Sequence, residues 1–152
     1  MENYNLPPIS KKVCEDIIEV LNNLKHTRLD NEMQGVDKLI VTNDWIHNLL
    51  SKYHVNYIIS GPILGFRYHE NDFLNWHRDD MYSKTASLTG GVFLNIDYKG
   101  GLFEFKDGTI QPQILGQPFT ITRTILHRVS PVLSGTRFSL HYKLLKKVKD
   151  KI

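Results

Sequence analysis

The chain has 152 residues, of which 41% are hydrophobic and 23% charged, with a formal net charge of +3. That length fits one domain with a full core. The composition is that of an ordinary folded protein and excludes a disordered or low-complexity chain. Much of the excess charge sits in Lys143-Leu-Leu-Lys-Lys-Val-Lys-Asp-Lys151, read as a solvated end, so the body is close to neutral. Cys14 is the only cysteine, which rules out an intramolecular disulfide and suits a reducing compartment. Met1 to Asn5 lacks the basic and apolar runs of a signal peptide, and no apolar stretch approaches the roughly 18 residues of a membrane span. The expectation is a cytoplasmic protein that uses no membrane.

Pro7-Pro8-Ile9 is a stiff lead-in, and Ser10 is a good N-cap for a helix over about residues 11–25. Val13, Ile17, Leu21 and Leu24 recur there at helical spacing. Residues 26–35 read as a polar connection. Thr42 or Asn43 caps a second helix over about 44–52, with Trp45, Ile46, Leu49, Leu50 and Tyr53 on its buried side. His26, His47 and His54 have no ligand partner at useful spacing and read as surface or core histidines. From Asn56 on, short β-rich runs follow: 57–60, 63–68, 76–79, 88–98, 102–105, 117–122 and 136–144. Gly61-Pro62, Asn71-Asp72, Lys99-Gly100-Gly101, Lys106-Asp107-Gly108 and Ser134-Gly135 supply turn signals between them. The expected fold is mainly β with N-terminal helices, a jelly roll with two helices packed on one sheet. The chain 1–152 reads as one domain: helical support over 1–55, a β core over 56–144 and a basic tail over 145–152.

His77-Arg78-Asp79 carries the first chemical signal. In a strand, residues two apart point to one face, so an imidazole and a carboxylate would share a side of the sheet. Asp80 would then point away. His127 supplies a third ligand, 48 residues after Asp79, a gap long enough for several strands to run out and return. Two histidines and one carboxylate on one face of a metal suit non-haem Fe(II). Arg137 follows His127 by ten residues, with Ser134-Gly135 as a turn between. Arg137, Ser139 and His141 would share one strand face, and Phe138, Leu140 and Tyr142 the other. An inward arginine needs an anion, and its fork matches a carboxylate, with Ser139 placed to donate a further bond.

These pieces together resemble the Fe(II)- and 2-oxoglutarate-dependent dioxygenases, and within them the prolyl 4-hydroxylase-like branch. The resemblance runs from about Asn56 to Tyr142. It covers Arg67-Tyr68, His77-x-Asp79, Phe93-Leu94-Asn95, Gly100-Gly101 leading to Phe105, and Gly116. It ends on His127-x-Val129-x-Pro131-Val132-x-x-Gly135-x-Arg137-x-Ser139. It implies a double-stranded β-helix in which His77, Asp79 and His127 hold Fe(II). It also implies that Arg137, helped by Ser139, takes the far carboxylate of 2-oxoglutarate, with Tyr68 near that cosubstrate. The implied reaction consumes O2, decarboxylates 2-oxoglutarate to succinate and hydroxylates an unactivated C–H. Asp79 argues against a halogenating relative, in which the carboxylate gives way to halide. Two departures stand out. Phe93 takes the place of a tyrosine that in some relatives bonds the far carboxylate. The glycine common between the tyrosine and the first histidine is absent, so Asn71-Asp72 must make that turn.

The resemblance points to a prolyl or other amino-acid residue as substrate, free or in a peptide. Arg67, Trp76, Arg78, Arg128 and His141 are candidates to face the mouth, although alternation turns Arg78 and Arg128 away from the ligands. Residues 69–75 and 80–87 would flank the opening, with Met81-Tyr82 as a lid. Three rivals remain: a nucleic-acid demethylating dioxygenase, a non-catalytic jelly-roll module binding a metal or carboxylate, and a cupin-type metalloenzyme without 2-oxoglutarate. A nucleic-acid partner is not expected, since no basic groove with interleaved aromatics lies outside the tail.

Overall fold

A computed structural model describes residues 6–80 and 87–148. Helix α1 spans Lys11–Asn22, and the Ser10 hydroxyl accepts from the Val13 backbone N–H at 3.2 Å, the N-cap expected. The helix stops three residues before the expected end, at an Asn23 cap. Residues 26–35 are not a mere connection. They hold β1 (His26–Asp30) and the start of β2 (Gln34–Val41), paired antiparallel. Strand β1 lies along the sheet edge and is almost wholly exposed, so its sequence carries no apolar alternation. Helix α2 spans Asp44–Ser51 after Asn43, which makes no side-chain cap bond. Ile46 and Leu50 are buried as expected, but Trp45 is 43% exposed. His26 and His47 are exposed. His54 is buried, its Nε2 2.6 Å from the Tyr142 hydroxyl.

The other strands are β3 (Tyr57–Tyr68), β4 (Phe73–His77), β5 (Ser87–Phe93), β6 (Lys99–Gly100) and β7 (Phe103–Phe105). They are followed by β8 (Phe119–Thr122), β9 (His127–Val129), β10 (Val132–Ser134) and β11 (Arg137–Lys146). Gly61-Pro62 does not end a strand. It lies within β3, where the β11 register slips between His141 and Lys143, and Gly61 takes φ +75°. A bulge tolerates both residues where a regular ladder would not. Strand β11 also runs through Leu145 and Lys146, so the start of the expected tail is sheet. Asn71 makes the turn before β4 at φ 74°, as the missing glycine required.

Nine strands form one curled antiparallel sheet, ordered β7-β9-β4-β2-β3-β11-β5-β8 with β1 beside β2, and β10 pairs β6 separately. This is the expected mainly β jelly roll with two helices. One sheet face packs on the helices through Ile17, Leu21, Leu39, Ile46, Leu50, Leu140 and Leu144. Leu21 sits so close over Gly65 that an added Cβ there would lie 2.5 Å from its Cδ2. The face inside the curl carries a second cluster, including Val36, Tyr68, Phe93, Phe103 and Val129. Phe138, Leu140 and Tyr142 go to the first core. Arg137 and Ser139 are fully buried in the same strand, in the alternation anticipated. Among the described residues no helix is long and apolar enough to cross a membrane.

Candidate metal and carboxylate site

Strand β9 pairs β4 so that His77 lies directly opposite His127, and the two rings sit 4.2 Å apart, centroid to centroid. His77 Nδ1 lies 2.7 Å from the Asn75 carbonyl and His127 Nδ1 2.9 Å from the Ile125 carbonyl. A ring N–H spent on a carbonyl leaves Nε2 unprotonated and free to ligate. Asp79 Oδ1 is 3.3 Å from His77 Nε2 and 3.4 Å from His127 Nε2. Adjacent corners of an octahedron with bonds of about 2.1 Å lie about 3 Å apart, so these atoms are spaced to close on one cation. Their ligand atoms all fall within 4.8 Å of one another.

The route to this grouping differs from the one the spacing implied. Strand β4 ends at His77, and Asp79 lies beyond it. Strand alternation therefore does not aim Asp79. The Thr89 hydroxyl on β5 donates to Asp79 Oδ2 at 2.6 Å, which leaves Oδ1 for the imidazoles. Asp80 donates its backbone N–H to the Arg123 carbonyl at 2.9 Å. Burial opposes the charge of Asp79, but His127, His77 and the Thr89 hydroxyl outweigh it and hold the carboxyl well below its usual range. Burial likewise opposes a proton on His77, yet Asp79 and the Asn75 carbonyl raise its pKa overall.

Arg137 is fully buried opposite Tyr68 in the β11–β3 register. Its Nε donates to the Gly101 carbonyl at 2.9 Å and its Nη1 to Ser139 Oγ at 3.1 Å. Among the described residues its Nη2 is buried with no partner at full hydrogen-bond distance, and so are the hydroxyls of Tyr68 and Tyr98. The guanidinium carbon lies 4.8 Å from the Tyr68 ring centre, 5.2 Å from Phe93 and 6.0 Å from Tyr98. The Nη2 and the two hydroxyls are donors with bonding capacity left over, grouped so that they could meet an anion. Burial pushes the Tyr68 phenol up to about 12, so it stays a donor.

Ser139 is less free than expected. Its Oγ accepts from Arg137 and lies 3.1 Å from His141 Nε2, so its proton has an internal acceptor. Burial, with Arg137 nearby, lowers the His141 pKa to about 3 and keeps that ring neutral. Tyr98 went unnoticed in the sequence: the strand expected over 88–98 ends at Phe93, so Tyr98 lies in an irregular stretch where strand alternation assigns no face. The Phe103 ring links the two halves of the site. It stacks on His127 at 4.9 Å and lies parallel to His141 at 6.3 Å.

A cavity of about 530 Å³ opens over the triad. Leu64, Phe66, Tyr68, Leu74, Phe103 and His141 line its inner wall, and Arg78, Arg123 and Lys143 line it too. Of the candidates for the mouth, only Arg78 and His141 belong to it. Arg67 donates to Asp37 and Asn22. Trp76 is covered by Lys106 and Arg128, and Arg128 is paired with Glu104 at 2.9 Å. Of the expected flanking segment 69–75, Leu74 lines the cavity and residues 69–72 do not. Asp72 holds residues 69–72, accepting from the His69 N–H and from Arg28, while the suggested lid at Met81-Tyr82 lies outside the described residues. Arg123 and Lys143 were missed: one lies just past a short strand, and the other falls in the expected last strand, at the start of the basic run.

No protein-family model matches the chain, and no curated protein matches it in sequence. Solved structures match in fold. A prolyl-4-hydroxylase from Pseudomonas putida superposes with a TM-score of 0.69 at 11% identity, over 92% of this chain and 89% of that one. HygX from Streptomyces hygroscopicus, solved with nickel and 2-oxoglutarate bound, gives 0.71 at 10% identity over 93% and 82%. A Trichoplax adhaerens prolyl hydroxylase, in complex with a hypoxia inducible factor peptide fragment, gives 0.64 at 14% over 96% and 82%.

Proposed function

We propose that the chain is an Fe(II)- and 2-oxoglutarate-dependent oxygenase that hydroxylates an unactivated C–H, with residues 1–152 acting as one cytoplasmic domain. The observation that carries this reading is the pairing of a His-Asp-His cluster with a buried arginine whose Nη2 has no partner. A module that bound only a metal would need the first and not the second. A fold shared with 2-oxoglutarate oxygenases supports the same choice.

His77, Asp79 and His127 would hold Fe(II) through Nε2, Oδ1 and Nε2. Arg137 would take the far carboxylate of 2-oxoglutarate, with Tyr68 and Tyr98 as hydroxyl donors. Tyr98 thereby supplies what Phe93 cannot, since phenylalanine only packs. When bound, iron and 2-oxoglutarate together reduce O2, release succinate and CO2, and deliver one oxygen atom to a substrate carbon. The protein's own part is to orient and to exclude water. Thr89 holds Asp79 so that one oxygen stays free. Ser139 and neutral His141 complete the wall without adding charge. The apolar lining keeps the C–H bond of a substrate dry. A prolyl or other amino-acid residue, free or in a peptide, fits this cavity by size, and the Trichoplax protein binds a peptide.

The test is spectroscopic and chemical. Fe(II) and 2-oxoglutarate added without oxygen should give a visible charge-transfer band, and air should then release succinate. Asp79→Ala should lose both. A chain that binds iron but gives neither band nor succinate is a metal-binding module or a cupin-type enzyme.

A further inference from the structure

The cavity lining is unbalanced in charge. Arg78, Arg123 and Lys143 all contribute to it, whereas its one acidic side chain is Asp79, turned towards two imidazoles. None of the three cations has an ion-pair partner among the described residues. The sequence between Asp80 and Ser87 contains no acid to neutralise them.

Arg123 is the most informative. It lies one residue past β8, with Nη1 donating to Thr89 Oγ1 at 3.1 Å and Nη2 to the Asp79 carbonyl at 3.4 Å. Its Nε is buried and has no partner among the described residues. A guanidinium anchored on two uncharged oxygens, one of them the hydroxyl that donates to Asp79, with its Nε unspent, is a fixed positive group with bonding capacity in reserve. Arg137 is fully buried on β11 with its own set of unbonded groups, so the two guanidiniums offer separate sets of donors. Lys143 and Arg78 lie on the same cavity without partners, so the local field attracts negative charge.

We infer that the substrate of this site is a small carboxylate whose anionic group meets Arg123, with Lys143 and Arg78 nearby, while its hydrocarbon body lies on Leu64, Phe66 and Leu74. The inference deepens the oxygenase reading and rests on it for what happens to the bound molecule. It excludes an unmodified amino acid held by its ammonium, because Asp79 is the only carboxylate in the lining and is committed to the triad. An acylated amine or an acid without nitrogen meets the condition. A prolyl residue inside an uncharged peptide does not.

The test compares acids with their uncharged amides by equilibrium binding, not turnover. N-acetyl-L-proline and N-acetyl-L-leucine, each against its primary amide, are titrated by NMR into the full chain. One series contains Mn(II) and 2-oxoglutarate under nitrogen, and another is metal-free. At least one acid should bind about tenfold tighter than its amide or better, and added salt should weaken only the acid. Arg123→Met should narrow the preference to below about threefold, and Arg123→Lys should keep most of it. Lys143→Met makes the same test should Arg123→Met fail to fold. Equal binding of acid and amide, no binding of either acid, or a full preference surviving both methionine variants overturns the inference. A chain that prefers acids but releases no succinate sinks the oxygenase reading and leaves the anion site standing.

Discussion

Tyr98 and Thr89 are the residues whose roles can be separated most sharply. Gly101 makes the Tyr98 placement possible: at φ +59°, a Cβ there would sit 2.9 Å from Arg137 Cδ and 3.3 Å from the Tyr98 ring. With Phe93 unable to bond, the Tyr98 hydroxyl joins that of Tyr68 as a donor left over beside the guanidinium. Tyr98→Phe should therefore weaken 2-oxoglutarate roughly tenfold or more, the worth of one hydrogen bond to a charged group, and leave iron affinity alone. Anaerobic titration of the charge-transfer band reads both. A parallel loss of iron affinity would make Tyr98 a packing residue instead. Thr89→Val makes the opposite split. It removes the 2.6 Å bond to Asp79 Oδ2 while keeping the shape, so iron affinity should fall about 10- to 100-fold and the arginine cradle should be untouched.

At the scale of elements, β2 and the turn before β4 are locked together by charge. Asp37 on β2 takes Arg67 at 3.0 Å, His69 at 2.7 Å and Arg28 at 3.3 Å, and Arg28 also grips Asp72 with two 2.7 Å bonds. Burial alone would raise the Asp37 pKa, but His69 and Arg67 overcome it, and the net shift is downward. A carboxyl depressed in the folded state contributes stability above its unfolded pKa, and that contribution is lost as pH falls through the folded value. Urea unfolding should therefore show stability falling below about pH 4. Asp37→Asn should already be weaker at neutral pH, by roughly 3 kcal/mol, with a flatter acid limb. An unchanged acid limb in the variant would move the effect to another carboxylate. Little of this lock was legible in the sequence. Arg28 and Asp37 lie in and beside a segment whose polarity reads as a loop, because β1 sits at an edge and buries almost nothing. Where a strand alternates between two buried faces, as β11 does from Arg137 to Leu144, its residues could be assigned to faces in advance. The same limit hid Gly61-Pro62 inside β3, since turn chemistry and bulge chemistry use the same residues.

Across the whole molecule, the triad sits where the two ends of the sheet path meet. His77 and His127 come from the β4–β9 end, and Thr89, which holds Asp79, comes from β5 near the other. Asp80 to Arg123 adds a backbone bond across the same junction. His77, Asp79 and His127 were legible as a set because a His-x-Asp and a distant His followed by an arginine suit one metal and its ligand. Arg123 and Lys143 were not, since what marks them is a missing partner, and absence of a partner is visible only in three dimensions. An ion joining these groups would act as a clasp between sheet ends and would bind only the folded chain. Divalent metal at about 100 times its dissociation constant should add roughly 2.7 kcal/mol. For a domain of this size, that is about 5–10 °C in Tm. Melting with Mn(II), with and without a chelator, measures the gain. Asp79→Ala should abolish it, because the two imidazoles left behind both lie on the β4–β9 end and no longer draw in the β5 end through Thr89. A gain that survives in Asp79→Ala would put the ion somewhere other than this junction.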